Sequence, residues 1–385
     1  MTGKERILAA LAGQPPDRVP FVPNVWQWFH VNRGASRLPA ALADAGDPVE
    51  ALRRLGADVL SKFDGVVVRE RLANCRRNVS YEGDPLDCPA WTSFVDFQRG
   101  PVRREWIETE HGTLSHVWQY APQAAAPFEA EHWWKDFDRE YAAVWAWMLD
   151  RRFEVDQKAL QCGLTNIGDD GLLLLQLLPT PLKQFHWLAG PSAASIFIAD
   201  HPEAMRDLAE IQQRQALAVM EQVVDLPNVM IFEVPDNLDS TFYSPRLFRE
   251  FCLPMLRNAA EMVHARGKYL FIHACGKLKA LSRLILESDL DCVEGQSHPP
   301  LGDWHLHEAR SLSPQLILCG GMTAREQEWA GPDAPCRIRE HVRALFESLG
   351  DKRRFLFASG CNTSPNTPWE NLVAFRDAAQ EFGVF

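Results

Sequence analysis

The stretch KYLFIHACG, residues 268–276, is a short apolar run that ends at a glycine and leaves His273 and Cys275 at its carboxyl end. Segments of helical length lie on both sides of it, at 245–266 and 278–288. Strand-length apolar runs that alternate with helical segments are typical of parallel strands joined by crossover helices. The stretch therefore predicts an α/β fold for this half of the chain.

The same alternation continues from residue 171 to the carboxyl terminus. Strand-like runs lie at 172–178, 229–234, 268–275, 291–295, 316–319 and 355–358. Two earlier runs are further strand candidates: 57–63, and 19–23, which two prolines weaken. Together they make eight strands, the number in a (β/α)8 TIM barrel of about 250 residues plus insertions.

The remaining segments fit as additions to one barrel domain over 1–385. Residues 4–13 predict a short helix in an N-terminal extension. Residues at about 70–150 predict an insertion that contains a β-hairpin at 103–120 and reaches a helical pattern at about 135–162. Because no Gly/Ser-rich linker interrupts the chain, we expect a single domain.

Bulk properties and missing motifs exclude several classes of function. A net charge of -11 lacks the basic surface that nucleic acid or an anionic membrane requires. The charged start of the sequence does not resemble a signal peptide. The longest apolar run, at 171–178, is too short to span a bilayer. The nine cysteines are irregularly spaced and do not suggest a disulfide framework. Motifs of phosphate-binding loops, dinucleotide-binding folds and serine hydrolases are absent. We therefore expect a cytoplasmic protein with neither a nucleic-acid nor a membrane partner.

Soft metal-binding atoms stand at two of the predicted strand ends. His273 and Cys275 follow one strand, and FLFASGC at 355–361 places Cys361 after another. Reacting groups in barrels come from strand carboxyl ends, and one imidazole with two thiolates leaves an open position on a tetrahedral zinc ion, as in catalytic sites. The alternative is a hydrogen-bonded barrel histidine and two small core cysteines. The long gap between Cys275 and Cys361 fits no local zinc motif, so only the fold can bring them together.

Two carboxylates follow a third strand, IFEVPDN at 231–237. Glu233 is a candidate catalytic residue, either as a fourth ligand that substrate displaces or as an acid/base group; alternatively it pairs with an arginine or caps a helix. Asp236 either orients a ligand or caps the turn before Ser244. Cys319 could be a further ligand, although a core position is the more common fate of such a cysteine.

Five tryptophans lie in or beside the predicted insertion: Trp118, Trp133, Trp134, Trp145 and Trp147. Aromatic residues dominate the buried area of any core, which favours a small second core beneath the insertion. The other interpretation is a cleft over the barrel for a planar ligand or partner.

With these residues in view, the chain resembles the uroporphyrinogen decarboxylase superfamily over nearly its whole length. The resemblance rests on ERILAAL at 5–11, PPDRVP at 15–20, SPRLF at 244–248, HACG at 273–276, PPLGD at 299–303 and GCNTSPNTPWENL at 360–372. It implies a (β/α)8 barrel.

The pattern is similar to the corrinoid-dependent methyltransferase branch of that superfamily. True decarboxylases carry an N-terminal arginine motif, whereas this chain reads NVWQWFH at 24–30 and has no arginine until Arg33. The resemblance implies that His273, Cys275 and Cys361 are zinc ligands. Cys275 distinguishes this branch from many relatives with the same barrel, which have His-x-Asp-Gly at this site. No Asp-x-His-x-x-Gly motif for cobalamin occurs, so the corrinoid is expected on a partner protein.

The expected function is therefore zinc-dependent methyl transfer between a small substrate and the cobalt of a corrinoid protein. The substrate is a methyl ether, a methyl thioether or a thiol, and the length of the insertion resembles relatives that demethylate small organic molecules. A decarboxylase-like lyase acting on a non-porphyrin acid is the alternative, and it requires an arginine-rich pocket without metal. A corrinoid or tetrapyrrole carrier with a decayed site is the third.

Overall fold

The computed structural model describes residues 1–62, 68–84, 99–121 and 126–385. In these ranges the strands are β1 (Val59–Ser61), β2 (Val68–Arg71), β3 (Arg76–Glu82), β4 (Val102–Thr109), β5 (Gly112–Ala121), β6 (Ala126–Glu131), β7 (Arg152–Val155), β8 (Gly171–Gln176), β9 (Ile231–Val234), β10 (Tyr269–His273), β11 (Cys292–Gln296), β12 (Ile317–Met322) and β13 (Phe355–Ser359).

The α-helices of the same ranges are α1 (Gly3–Leu11), α2 (Trp26–Gly34), α3 (Pro48–Leu55), α4 (Phe137–Asp150), α5 (Gln157–Ile167), α6 (Pro181–Asp200), α7 (Pro202–Glu221), α8 (Pro245–Phe251), α9 (Leu253–His264), α10 (Ser282–Glu287), α11 (Leu306–Leu312), α12 (Ala324–Gln327), α13 (Ala334–Leu349) and α14 (Trp369–Phe382). Short 3-10 helices lie at Ala40–Leu42, Gly168–Asp170 and Lys279–Leu281. None of these described helices is both long enough and apolar enough to cross a membrane.

A parallel sheet of seven strands forms the centre of the molecule, in the order β1-β8-β9-β10-β11-β12-β13. The sheet curls through 266°. From β8 onward, each strand is joined to the next by at least one helix, which is the connection that parallel pairing requires. The predicted α/β fold is confirmed in this form, and each predicted run from 57–63 to 355–358 contains one strand of the sheet.

The eighth predicted strand, at 19–23, lies between the two edges of the sheet but forms only an isolated bridge. Phe21 bridges Phe357 of β13 in parallel, and Val22 N donates to Phe357 O at 2.8 Å. On the other side, Asp58 N donates to Phe21 O at 2.8 Å. Pro20 and Pro23 have no N–H to extend a ladder in either direction. The eight-stranded barrel is therefore confirmed in part, as a curled sheet of seven strands.

Two apolar cores lie on the two sides of this sheet. One fills the inside of the curl with alternate strand residues and is closed by α1, which contributes Ile7 and Leu11. The other packs the helices against the outer face. Cys319 is fully buried in the inner core, beside Cys292. A small apolar core residue is thus the better interpretation of Cys319 than a ligand.

The segment between β1 and β8 carries antiparallel structure. Strands β3 to β6 form a four-stranded sheet, and β2 pairs with β7. The predicted hairpin at 103–120 is present as β4 and β5, which meet at the Thr109–Gly112 pair. Trp133, Trp134 and Trp147 are buried beneath it, and the stacked ring of His116 covers Trp133. These three tryptophans therefore form part of a core.

The helix predicted at about 135–162 is wrong in its middle. α4 ends at Asp150, β7 follows, and α5 begins after Asp156. Residues of β7 pair with β2, so that Val155 lies opposite Val68, and the Asp156 carboxylate caps α5 by accepting from the N–H groups of Lys158 and Ala159. Strand pairing and a new N-cap thus interrupt a pattern that local propensity alone would continue.

Asp58 connects residues 19–23, which form the isolated bridge, to the sheet. Its buried carboxylate accepts from Arg6 Nη1 at 2.5 Å, from Arg18 Nη1 at 2.9 Å and from Phe21 N at 3.1 Å. We expect Asp58→Ala to lower the free energy of unfolding by about 3–5 kcal/mol, since it leaves buried donors without a partner. Urea denaturation measures the change.

Asp44→Ala is the matched control, because Asp44 also pairs with an arginine but is 82% exposed. Its loss should cost no more than about 1 kcal/mol. Equal effects of the two substitutions would contradict the role given to Asp58.

Candidate metal centre and cavity

The structure brings His273, Cys275 and Cys361 together. β10 ends at His273, and Cys361 lies two residues beyond the end of β13. One ligand atom of each residue lies within 4.8 Å of the other two, and Cys361 Sγ is 3.6 Å from His273 Nε2. The three predicted ligands therefore form one group at the carboxyl edge of the sheet.

Two glycines leave the space that this group needs. Gly295 has a φ of +85°, and a Cβ there would lie 2.8 Å from His273 Cε1. A Cβ on Gly360, next to Cys361, would lie 2.5 Å from Ser297 Oγ. Larger residues at these positions would push the imidazole or the loop out of place.

The other side of the imidazole is held by a buried carboxylate. His273 and Glu294 are paired residues of β10 and β11, and His273 Nδ1 forms a short hydrogen bond to Glu294 Oε2. A carboxylate on Nδ1 fixes the ring and directs Nε2 toward the thiols. This is the arrangement that metal-binding histidines usually have.

A buried lysine completes the charge balance around Glu294. Lys62 Nζ donates to Glu294 Oε2 at 2.5 Å and lies 3.4 Å from both Glu233 Oε1 and His273 Nδ1. Burial disfavours the ammonium, but the carboxylates of Glu233 and Glu294 outweigh it and raise the pKa of Lys62. Sequence reasoning missed Lys62 and Glu294; the available signal was a charged residue inside each of two apolar strand candidates.

Glu233 lies on the Nδ1 side of His273, away from the thiols. It belongs with His273 and Glu294 to a second group within 4.8 Å, and it accepts a short hydrogen bond from Gln176 Nε2. Burial raises its pKa to about 7, although Lys62 opposes the shift. The alternative interpretation was that Glu233 pairs with an arginine, and Lys62 takes the place of that cation. A role for Glu233 as a fourth metal ligand therefore has little geometric support.

Asp236 is buried and fastens the start of α6. Its carboxylate accepts from Thr180 N at 2.8 Å and from Thr180 Oγ1 at 2.6 Å, where Thr180 is the N-cap residue of α6. Burial raises the pKa of Asp236 to about 6, although the hydrogen bonds from Thr180 lower it in part. With both oxygens engaged, Asp236 positions a helix, and a direct catalytic role stays a prediction.

The thiols of Cys275 and Cys361 are in hydrogen-bond contact. Hydrogen bonding from Cys275 lowers the pKa of Cys361 well below its usual value, while the same contact and burial raise that of Cys275. Binding of a metal to both sulfurs would release the proton from Cys275.

A cavity of about 580 Å³ lies against the thiols. Trp187, Phe242 and Leu301 line it and are about half exposed, which places them at its mouth. Glu129 and His132 reach it from the end of the antiparallel sheet. The volume is that of a typical small-molecule site.

The donor set fits zinc. One imidazole nitrogen and two thiol sulfurs are the soft ligands that zinc prefers, and three protein ligands would leave a fourth coordination position for water or substrate. These residues could therefore hold a metal with an exchangeable position.

A family model matches this half of the chain. Residues 187–382 match the model described as "Uroporphyrinogen decarboxylase (URO-D)", a range that includes the three candidate ligands. The chain belongs to the uroporphyrinogen decarboxylase family. The predicted resemblance is thereby confirmed at the level of the family.

Solved structures support the same fold. A methyltransferase from Methanosarcina mazei superimposes with a TM-score of 0.59 at 16% sequence identity, over 99% of both chains. The intracellular xylanase TsXylA from Thermoanaerobacterium saccharolyticum matches 55% of this chain and 71% of its own at 11% identity, with a TM-score of 0.33 that carries no argument. A search of curated protein sequences finds no significant match. At 16% identity, the likeness to the methyltransferase describes the fold alone.

The contact between His273 and Glu294 generates a prediction on metal affinity. Glu294→Gln keeps the shape but removes the charge that holds the imidazole, so we expect zinc affinity to fall about 10–100-fold. Competition with a chelator of known affinity measures it. Glu221→Gln, at an exposed position of α7, is the control and should change nothing. Unaltered affinity in Glu294→Gln would show that the carboxylate does not support a ligand.

Asp236 generates a prediction on pH dependence. Its pKa is raised from 3.8 to about 6 in the folded protein, so the folded state holds this proton more tightly than the unfolded state does. Wild-type stability should therefore fall relative to Asp236→Asn as pH rises from about 4 to 6, by roughly 3 kcal/mol in total. Urea denaturation of metal-free protein across this range measures the difference. Asp200→Asn, at an exposed position, should follow the wild type; parallel curves for Asp236→Asn would contradict the raised pKa.

Proposed function

We propose that this member of the family is a zinc-dependent methyltransferase that moves a methyl group between a small substrate and the cobalt of a corrinoid carried by a partner protein. The observation that carries the proposal is the meeting of His273 Nε2 with the sulfurs of Cys275 and Cys361 beside a cavity of substrate size. Membership of this enzyme family supports catalysis. The methyltransferase of the same fold is consistent with the reaction class.

The chemistry follows from the donor set. Bound zinc would act as a Lewis acid and stabilise negative charge on the substrate oxygen or sulfur. In the demethylating direction, the bond between that heteroatom and the methyl carbon would break as the methyl group passed to a Co(I) corrinoid, which would supply the electron pair for the new bond to carbon. The electron pair of the broken bond stays on the heteroatom. In the opposite direction, a substrate thiolate attacks the methyl group and the electron pair returns to cobalt.

The protein's own residues prepare the site for this step. The lowered pKa of Cys361 favours its thiolate form, and Glu294 holds His273 with Nε2 toward the sulfurs. Lys62 balances Glu294 and Glu233, so that excess negative charge does not accumulate behind the imidazole. Glu233 is not among the residues that line the described cavity, and any acid/base role would act through its neighbours.

The partner that brings the corrinoid is part of the proposal. The sequence lacks the cobalamin motif, and the cavity mouth is formed by Trp187, Phe242 and Leu301. This half-exposed apolar rim would suit the approach of a flat cofactor held by another protein. We propose a methyl ether, a methyl thioether or a thiol as the small substrate.

The lyase alternative has less support from the cavity. It requires an arginine-rich pocket, but no arginine is among the described residues that line this one. Arg33, the first arginine after the region of the decarboxylase motif, donates instead to the backbone of Gly46. The geometry therefore favours methyl transfer.

The test is elemental analysis together with a methyl-transfer assay on matched cysteine variants. Wild type should hold about one zinc per chain and pass methyl groups from aryl methyl ethers or methyl thioethers to Co(I) cobalamin. Cys275→Ala and Cys361→Ala should lose both zinc and transfer, because each removes one of three ligands. Cys162→Ala, at an exposed cysteine of α5, should retain both.

Three outcomes would overturn the proposal. Full zinc and full activity in either ligand variant would show that the metal site is elsewhere. No zinc in freshly purified wild type would move the lyase to first place, and a tightly bound pigment without turnover would favour the carrier.

A further inference from the structure

Lys183 is a charged group in the cavity without a carboxylate partner. It lies on the first turn of α6, is partly buried, and lines the same cavity as Cys275 and Cys361. Among the described residues, no carboxylate oxygen lies within 4.0 Å of its Nζ. Its Nζ lies over the ring of Trp187, 5.7 Å from the ring centroid. Burial lowers the pKa of Lys183, and the carboxylates of Asp236 and Glu129 and the sulfur of Cys275 offset this only in part.

The two carboxylates that line the cavity are already engaged. Glu129 lies between two histidines, with Oε1 3.0 Å from His116 Nε2 and Oε2 3.6 Å from His132 Nδ1. Asp239 accepts from Thr241 N at 2.8 Å. The positive charge of Lys183 is therefore available to a ligand.

His186 supplies a second polar group one turn further along α6. Its side chain is 94% buried, lines the cavity, and has an Nε2 without a hydrogen-bond partner among the described residues. Its ring packs edge-on against Phe242 and Tyr243. Burial and the charge of Lys183 lower its pKa to about 4, so the imidazole is neutral and keeps one N–H to donate. Residues 183 and 186 share one face of the helix.

We propose that Lys183 and His186 form an acid-binding subsite, and that the substrate is a small aromatic carboxylic acid whose carboxylate lies at this subsite. An ammonium and an imidazole N–H offer two donors to the two oxygens of one carboxylate. Trp187, Phe242 and Tyr243 provide an apolar wall beside them for an aromatic ring. The inference deepens the proposed function, since the methylated oxygen or sulfur of such an acid would then face the thiols.

The test compares acids with their uncharged isosteres and does not depend on the metal. Titration calorimetry of the full-length protein with 2-, 3- and 4-methoxybenzoate, and with the three corresponding methoxybenzamides, measures the preference for a carboxylate at constant shape. We expect one acid to bind about 10–100-fold more tightly than its amide, the usual worth of a hydrogen bond to a charged group.

Variants assign that preference to residues. Lys183→Met should reduce the acid-to-amide ratio to near one, Lys183→Arg should retain most of it, and His186→Phe should reduce it several-fold while keeping the aromatic packing. Lys158→Met removes the same charge at an exposed position and should leave the ratio unchanged.

The inference is overturned if no acid binds more tightly than its amide, or if the preference survives Lys183→Met. These outcomes are separate from failure of the proposed function. Absence of zinc or of methyl transfer would leave an observed preference for the acid in place, whereas zinc and methyl transfer with equal binding of acids and amides would remove only the subsite.

Discussion

The buried contact between Lys62, Glu294 and His273 is the constraint on which the candidate site depends. Lys62 directly follows β1, Glu294 and His273 belong to β11 and β10, and Glu233 of β9 adds a second carboxylate to the ammonium. Buried ion pairs contribute little net stability, because desolvation offsets attraction. What they impose is orientation: the imidazole can satisfy Glu294 only through Nδ1, which leaves Nε2 for the sulfurs. The curl of the sheet is needed to bring β1 within reach of β11.

Much of the fold could be predicted from the sequence because buried parallel strands are apolar along their whole length. Each of the runs from 172–178 to 355–358 lies on a strand, since burial on both faces leaves few polar positions to blur the pattern. The failures come from contacts that are distant in sequence. The pairing of β7 with β2 ended a helix that the local pattern extended, and the prolines at 20 and 23 reduced a strand to a bridge.

The candidate site also divides into residues that the sequence pattern could predict and residues that depend on distant contacts. His273, Cys275 and Cys361 could be found because they follow strands whose ends meet at one edge, so the fold places them without any spacing rule. Lys62 and Glu294 were missed, because a single charged residue in an apolar run does not reveal which charge opposes it in the fold. Asp236 was predicted at the end of its strand, but two roles were left open for it. Its contact with Thr180 depends on a loop whose path no sequence pattern predicts.

That contact links the two ends of the cavity. Asp236 follows β9, next to the strand that carries His273, and it holds the N-cap of α6, the helix that carries Lys183 and His186. The distance from the thiols to the cation is thus set by a buried hydrogen bond between neighbouring strand ends, not by a surface loop. On the opposite side, Gly190 lets the kinked part of α6 approach His132, because a Cβ at residue 190 would lie only 2.7 Å from His132 Nε2. The antiparallel segment and the curled sheet therefore meet on the helix that carries Lys183. A ligand that spans the cavity would contact both parts of the chain, which would let the insertion select the ligand while the sheet edge that carries the three candidate metal ligands stays unchanged.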